Sequence, residues 1–212
     1  VVVVKDIFDE MAEMKRIYGA APGAIRRVSC KTDEGVEYTE KRAVYFYENT
    51  SVCVVEPVSG ETIYKKFLDK YGEGIACVRE RVAVDKFDAE AKRYTAKGFA
   101  PVQTRSCEKC GCRKAWFEME DLKILFELVT DNCPEPAPTH IIHDKVQQIN
   151  ITTPDVYDTI AKIVDRMEIG PFELGAQKNS TLVDWAFREN GVLKKDVDFE
   201  FIIAIIPCGN IE

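Results

Sequence analysis

Hydrophobic and polar positions repeat along this chain in a scheme that recurs about every 60–70 residues. Each pass begins with a β-branched strand, continues with an amphipathic helix and closes with paired strands. In the first pass, residues 1–4 predict a strand, and the apolar spacing within residues 7–18 predicts a helix that ends at Gly19. The aromatic and β-branched residues 43–47 and 52–55 predict two strands joined by a turn.

The second pass follows a connecting helix that we expect to run from Ser59, its N-cap, to Lys70. Residues 75–84 then predict a strand and residues 87–97 a helix. A hairpin of residues 114–119 and 124–129 closes this pass. Helices and strands that alternate in this way indicate an α+β fold built from βαβββ modules.

A proline-rich segment divides the chain. Three prolines between positions 134 and 138 cannot join a helix or a central strand, so they mark a linker. We therefore expect a paired-module domain over residues 1–131, a linker over 132–144 and a third βαβββ module over 145–212.

The third module is predicted to contain a strand at 146–152, a helix at 156–167, and strands at 183–188 and 199–206. A single βαβββ unit leaves one apolar sheet face uncovered, so we expect that its partner module either comes from another chain or is missing from this sequence. We expect a homo-oligomer, most simply a homodimer. The aromatic residues expected on that face are Trp185, Phe187, Phe199 and Phe201.

Composition narrows the class of protein. Hydrophobic residues make up 46% and charged residues 31% of the 212 residues, as in ordinary globular proteins. No apolar run approaches the ~20 residues that span a bilayer, and the net charge of −7 argues against a nucleic-acid partner. The eight cysteines are scattered, so we expect reduced thiols and a cytoplasmic location. A local basic pocket could still bind a small anion.

Two groups of residues carry candidate chemistry. The motif Cys107-x-x-Cys110-x-Cys112 brings three thiols together in six positions. With Cys133 or another fourth ligand it could hold Zn²⁺, as a CxxC pair it could be redox active, and it could equally be a tolerated surface loop. These three interpretations stay open at the level of sequence.

The second group lies on predicted strands. Arg79 and Arg81 alternate with Cys77 onto one face of the strand that opens the second module. If that face lines a cavity, the two guanidinium groups favour an anionic ligand. Tyr45 could form part of an apolar wall of such a cavity, although core packing would explain it equally well.

The order and spacing of several short stretches resemble the glyoxalase, or vicinal oxygen chelate, superfamily, and in particular its methylmalonyl-CoA epimerase-like members. The stretches are residues 54–62, 66–75, 96–99, 116–117 and 126–128. The resemblance implies that two βαβββ modules pair into a cradle of mixed β-sheet with flanking helices. It also implies a divalent metal ion that binds two adjacent substrate oxygens and stabilises an enolate, while a carboxylate transfers the proton.

The same resemblance implies a ligand set from the first and last strands of each module. It places Cys53, Cys77 and Glu127 in three ligand positions and Gln148 in the corresponding position of the third module. Glu127 would serve as metal ligand or catalytic base, with Zn, Co, Mn or Ni as the metal. Alternatively, Cys53 and Cys77 are small core residues and the metal site is absent.

Two functions follow as expectations. The first is a lyase or isomerase, such as an epimerase or a lactoylglutathione lyase-like enzyme, that acts on a small anionic acyl or 2-oxo substrate. The second is a non-catalytic binding protein with a degenerate metal site. In the second case Arg79 and Arg81 would supply the positive charge of the missing metal.

Overall fold

The computed structural model describes residues 1–22, 24–134, 141–143, 145–178, 187–189, 192–194 and 200–206. The chain divides into two compact units, Val1–Val146 and Gln147–Glu212. Part of the predicted linker, residues 135–140 and 144, lies outside the described residues. No helix within the described ranges is long and apolar enough to cross a membrane.

The first unit contains the elements of both predicted modules. In chain order they are β1 (Val2–Val3), α1 (Ile7–Tyr18), β2 (Ala24–Lys31), β3 (Glu37–Tyr47), β4 (Ser51–Ser59), α2 (Ile63–Tyr71), β5 (Gly74–Ile75), β6 (Cys77–Val82), α3 (Phe87–Ala96), β7 (Pro101–Ser106), β8 (Arg113–Met119), β9 (Ile124–Thr130) and β10 (Ile141–Ile142).

The two modules have the same strand order. In the first sheet the strands follow each other as β1-β4-β3, with β2 also paired to β3, and in the second as β6-β9-β8-β7. In each sheet the first strand of the module pairs in parallel with the last, and the middle strands pair antiparallel. A βαβββ module therefore occurs twice in this unit, and the predicted α+β class is confirmed.

Local signals explain where the helices begin and end. The Asp6 side chain accepts hydrogen bonds from the backbone N–H groups of Phe8 and Asp9, so α1 begins after it. Gly19 ends α1 with a left-handed backbone at φ 62°, as the sequence predicted.

The predicted N-cap of α2 is wrong. Ser59 still belongs to β4, where it pairs with Thr39, and the cap is Thr62, which accepts a hydrogen bond from the N–H group of Lys65. Gly60 makes the turn between them at φ 82° and lies against the Glu37 backbone. Because β4 stays paired with β3 as far as Ser59, helix α2 cannot begin at that residue.

Two other details of this unit differ from expectation. The sequence did not predict β2, whose residues Arg26, Arg27 and Ser29 are exposed and give no clear apolar alternation. The predicted strand 75–84 is broken at Ala76, because β5 pairs with β1 whereas β6 pairs with β9. One apolar run thus supplies strands to two different sheets.

Two apolar clusters cover opposite faces of the first sheet. The outer cluster packs α1 against the sheet and includes Ile7, Ala43 and Tyr45. The inner cluster joins the first sheet to α2 and the second sheet. Its buried members are Val3, Cys53, Val55, Ile63, Tyr64, Phe67, Ala76, Cys77, Trp116 and Leu125. The inner faces of the two sheets thus face each other around a common interior, which we call the cradle.

The second unit contains α4 (Val156–Met167), β11 (Glu173–Lys178), β12 (Phe187–Glu189), β13 (Val192–Lys194) and β14 (Glu200–Ile205). Strand β11 pairs antiparallel with β14, and β12 pairs with β13.

The sequence predicted α4 at its observed bounds, but the strand predicted at 146–152 is wrong. No described strand pairs with this segment, and its Gln147, Gln148 and Asn150 are exposed. Trp185 and Phe199 lie outside the described residues, and Phe201 is exposed. Association between chains stays a prediction.

Candidate functional site

Glu127 is the centre of a buried polar cluster in the cradle. On β9 it lies between Arg79 of β6 and Trp116 of β8, its register partners on either side. Because side chains alternate along strands, Cys77 and Arg79 project from β6 toward the same interior as Glu127. The Cys77 Sγ atom lies 3.9 Å from Glu127 Oε2. Two residues that we expected to share one site thus lie close together.

Both oxygens of the Glu127 carboxylate are engaged by cations. Lys114 Nζ lies 2.5 Å from Oε1, and Arg79 Nη2 lies 2.9 Å from Oε2. The Tyr64 hydroxyl donates a hydrogen bond of 3.1 Å to Oε2 and accepts one of 3.2 Å from the Trp116 indole N–H. Glu127 is completely buried and Lys114 is 4% exposed, so this ion pair is shielded from solvent.

The electrostatics keep Glu127 ionised. Burial alone would raise its pKa, but Lys114 and Arg79 outweigh burial and hold the pKa far below the ordinary 4.5. Burial, and then the negative charge of Glu127, raise the pKa of the Tyr64 hydroxyl well above 10 and that of the Cys77 thiol to about 12. At neutral pH the cluster thus contains an anionic carboxylate and a neutral thiol.

This arrangement does not fit a divalent metal ion. The two cations already occupy the oxygens that a metal would need, and they would repel it. Cys77 would have to lose a proton whose pKa is raised. Cys53 is buried in the same inner cluster, but Cys53, Cys77 and Glu127 do not bring three ligand atoms within 4.8 Å of one another. The expected cradle metal site is therefore not supported by these donors.

A second polar group extends the cluster across the inner faces, and sequence reasoning missed it. Arg42 of β3 pairs with the buried Glu40, with Nη2 at 2.6 Å from Oε2. Next to them, Arg105 of β7 donates to the Tyr38 hydroxyl at 3.1 Å and to Cys30 Sγ at 3.1 Å. No clear signal for it is present in the sequence, because Glu40, Lys41 and Arg42 are consecutive charged residues without an apolar alternation.

Arg105 differs from the other buried cations in its partners. The two described side chains that it contacts, Tyr38 and Cys30, offer a hydroxyl and a thiol rather than a carboxylate, and burial raises the pKa of Tyr38 to about 12. Among the described residues, no carboxylate forms an ion pair with Arg105. Within the described part of the chain, Arg42 pairs with Glu40, and Arg79 and Lys114 pair with Glu127, whereas Arg105 contacts a hydroxyl and a thiol.

Three predicted site residues are placed elsewhere. Tyr45 is buried on the outer face against α1, and its hydroxyl has no hydrogen-bond partner in the part of the chain that the structure describes. Arg81 lies farther along β6 than Arg79 and is exposed. Gln148 belongs to the second unit, where it is exposed.

The Cys107, Cys110 and Cys112 thiols form a separate cluster in the loop between β7 and β8. Their sulfur atoms lie within 4.8 Å of one another. Among the described residues, this is the group of cysteine, histidine or acidic side chains whose geometry could hold a metal ion. The structure thus brings together all three thiols of the predicted motif.

Comparison with known proteins finds similarity in structure only. No known protein family and no curated protein matches the sequence. A mutant of 4-hydroxymandelate synthase from Streptomyces coelicolor matches with a TM-score of 0.50 at 12% identity, over 84% of this chain and 53% of that protein.

Two methylmalonyl-CoA epimerases also match. A variant from Streptomyces coelicolor, in complex with 2-nitronate-propionyl-CoA, has a TM-score of 0.44 at 22% identity, over 61% of this chain and 91% of its own. The enzyme from Mycobacterium tuberculosis has a TM-score of 0.38 at 22% identity, over 65% and 85%. The predicted glyoxalase-like fold is confirmed. At such low sequence identities the similarity concerns the fold alone.

Proposed function

We propose that this chain, which has the glyoxalase-like fold, binds a small organic carboxylate in its cradle without a divalent metal ion. The ligand class is an acyl or 2-oxo acid whose carboxylate meets the cationic cluster. The observation that carries the proposal is the half-buried Arg105 guanidinium group, which contacts the Tyr38 hydroxyl and the Cys30 thiol and has no carboxylate partner among the described residues. A partly buried positive charge without a counter-ion is costly unless an anion compensates it.

Arg105 is the cation best suited to meet the ligand. It is half-buried, its described partners are a hydroxyl and a thiol, and its planar guanidinium group can hold a carboxylate through two parallel hydrogen bonds. Arg42 and Arg79 are 15% and 20% exposed at their side chains, so they too lie where the cluster approaches solvent.

A metal-dependent reaction is disfavoured by Glu127. A general base works best when its pKa is near the operating pH, whereas Lys114 and Arg79 hold the pKa of this carboxylate far below that range. Its ion pairs also compete with any metal ion. A metal-free lyase or isomerase that acts on the same substrate class is the second candidate. It is favoured by the presence of Glu127 beside Cys77 and Tyr64, and it would require Glu127 to leave its ion pairs.

The test is calorimetric titration with 2-oxo acids, short dicarboxylates and acyl-CoA thioesters, with and without a chelator. We expect binding that the chelator does not change. Arg105→Gln should weaken it by about 10- to 100-fold, since hydrogen bonds to charged groups contribute about 1.5–3 kcal/mol. Arg16→Gln is the matched control, because Arg16 is an exposed residue of α1.

Two results would count against the proposal. One is the absence of binding by every carboxylate in the panel, and the other is equal affinity of the Arg105→Gln variant. The second candidate has its own readout. Exchange of the ligand's α-proton for deuterium, followed by NMR and abolished by Glu127→Gln, would indicate an enzyme.

A further inference from the structure

The loop between β7 and β8 is folded so that its thiols converge. The Cys107 N–H group donates to the Cys112 carbonyl at 2.8 Å, and the Gly111 N–H group donates to the Cys107 carbonyl at 2.7 Å. Gly111 adopts φ 68°, a left-handed conformation that turns the chain between Cys110 and Cys112. Three sulfur atoms within 4.8 Å of one another are the consequence of this backbone.

A fourth thiol lies beside this cluster, in a different loop. Cys133 follows β9, and its N–H group closes a turn onto the Thr130 carbonyl at 3.1 Å. Its thiol interacts with that of Cys112, but it is not one of the three sulfur atoms that lie within 4.8 Å of one another, so it must turn toward them to complete a four-thiol set. Asn132 joins the two loops, because its Nδ2 donates to the Cys110 carbonyl at 3.0 Å. The segment after β9 and the β7–β8 loop thus meet at one end of the second sheet.

We propose that Cys107, Cys110, Cys112 and Cys133 bind one structural Zn²⁺ ion, separate from the cradle. Four thiolates form a closed tetrahedral set, which is the usual donor set of structural zinc. Sulfur ligands favour Zn²⁺ over the harder Mg²⁺, Ca²⁺ and Mn²⁺, and no fourth position stays open for a substrate. The function of this site is structural rather than catalytic.

The three clustered thiols require little rearrangement. With Zn–S bonds of about 2.3 Å, the sulfur atoms of a regular tetrahedron are about 3.8 Å apart. The observed spacing of three of them, within 4.8 Å, is larger by about 1 Å at most, and thiol rotamers can supply that change. Cys107 and Cys110 are only half-buried, so the ion can enter from solvent.

The ion would connect two loops that are distant in sequence. The β7–β8 loop and the segment after β9 are otherwise joined at this point by the Asn132 hydrogen bond to Cys110. On the neighbouring strand, Arg113 N–H donates to Thr130 Oγ1 at 2.9 Å, so this end of the sheet is already ordered. A bound ion would therefore act on an organised site and keep β8 and β9 together at that end.

The test is metal analysis of the full chain, purified under reducing conditions without chelator, together with Zn²⁺ titration. We expect one equivalent of zinc and four sulfur neighbours by X-ray absorption. Cys133→Ser should leave three sulfur neighbours and weaken Zn²⁺ binding by at least about 100-fold, and Cys110→Ser should do the same. Asn132→Ala, which loosens the loop that carries Cys110, should weaken it by about 10-fold.

Cys30→Ser is the matched control, since Cys30 is also half-buried but lies on β2 in the first sheet, and its zinc content should match the parent protein. Three results would overturn the proposal. They are protein that takes up no zinc, a Cys107–Cys110 disulfide that persists in reductant, and zinc that is retained in Cys110→Ser but lost in Cys77→Ser. The last result would place the ion in the cradle.

Discussion

Loss of Lys114 should expose the energetic cost of the buried Glu127 charge. In Lys114→Met, the long side chain is kept and only the ammonium group, 2.5 Å from Glu127 Oε1, is removed. Breaking one partner from a buried ion pair costs about 3–5 kcal/mol, because the remaining charge is left without compensation. Arg79 and Tyr64 still contact Oε2, so we expect the lower end, about 3 kcal/mol of unfolding free energy.

The assay is urea unfolding followed by tryptophan fluorescence. The chain has two tryptophans, so a Trp185→Phe background leaves Trp116, which is buried beside this cluster, as the reporter. Lys70→Met is the matched control. Lys70 pairs with Glu118 and Glu120 at the surface, and such exposed pairs contribute at most about 1 kcal/mol.

A double-mutant cycle isolates the interaction. Glu127→Gln keeps the shape of the side chain and removes its charge, and the double variant with Lys114→Met should be about 2 kcal/mol more stable than the sum of the single effects. Additivity within about 0.5 kcal/mol would refute the reasoning, because it would mean that Lys114 and Glu127 do not interact.

The pH dependence of unfolding provides an independent check on the same cluster. The pKa of Glu127 is lower in the folded protein than its ordinary 4.5, so the unfolded state binds more protons as pH falls through that value. The stabilisation is therefore complete above about pH 4.5 and decreases at lower pH. Glu127→Gln should show a shallower decrease, and an unchanged slope would contradict this sign.

Three further predictions concern stability. Tyr45→Phe should be neutral or stabilise the protein by up to about 1 kcal/mol in denaturant unfolding, since the buried hydroxyl has no hydrogen-bond partner among the described residues, and a clear loss of stability would refute this. Thr62→Ala should cost about 1 kcal/mol and lower the helical circular dichroism signal, because Thr62 caps α2. Gly60→Ala should cost at least about 2 kcal/mol, since an added Cβ would lie 2.2 Å from the Glu37 carbonyl oxygen, whereas Gly98→Ala, with open space, should cost only the backbone strain of about 1 kcal/mol. Equal thermal shifts for the two glycine variants would contradict the last argument.

Local signals predicted the elements that depend on local contacts. The bounds of α1 and α4 follow from apolar spacing and from the caps Asp6, Gly19 and Asp155, all of which lie within a few residues of the helix that they limit. The repeat of the module was also visible, since each pass carries its own strand and helix pattern. Strand β2 was not, because an exposed strand rich in arginine has no apolar face to detect.

The sequence predicted only the part of the candidate site that is formed by the paired strands β6 and β9. Cys77, Arg79 and Glu127 share a face because β6 and β9 pair in parallel. Lys114, which meets Glu127, comes from β8, and Arg105 comes from β7. No periodicity shows which charges face each other across an interior. Tyr45 was misplaced for a related reason. Both faces of β3 are buried, one by α1 and one by the second sheet, so alternation alone does not tell inside from outside.

The ion pair between Lys114 and Glu127 has a consequence for how this cradle responds to its surroundings. An ammonium group that is covalently part of the polypeptide cannot be stripped by a chelator, exchanged for a competing ion or depleted by starvation. The positive charge beside Glu127 is therefore present from the moment the chain is synthesised, whatever ligand the cradle binds. A change in the supply of trace elements would leave this ion pair as it is and would act on the proposed zinc site in the thiol loop.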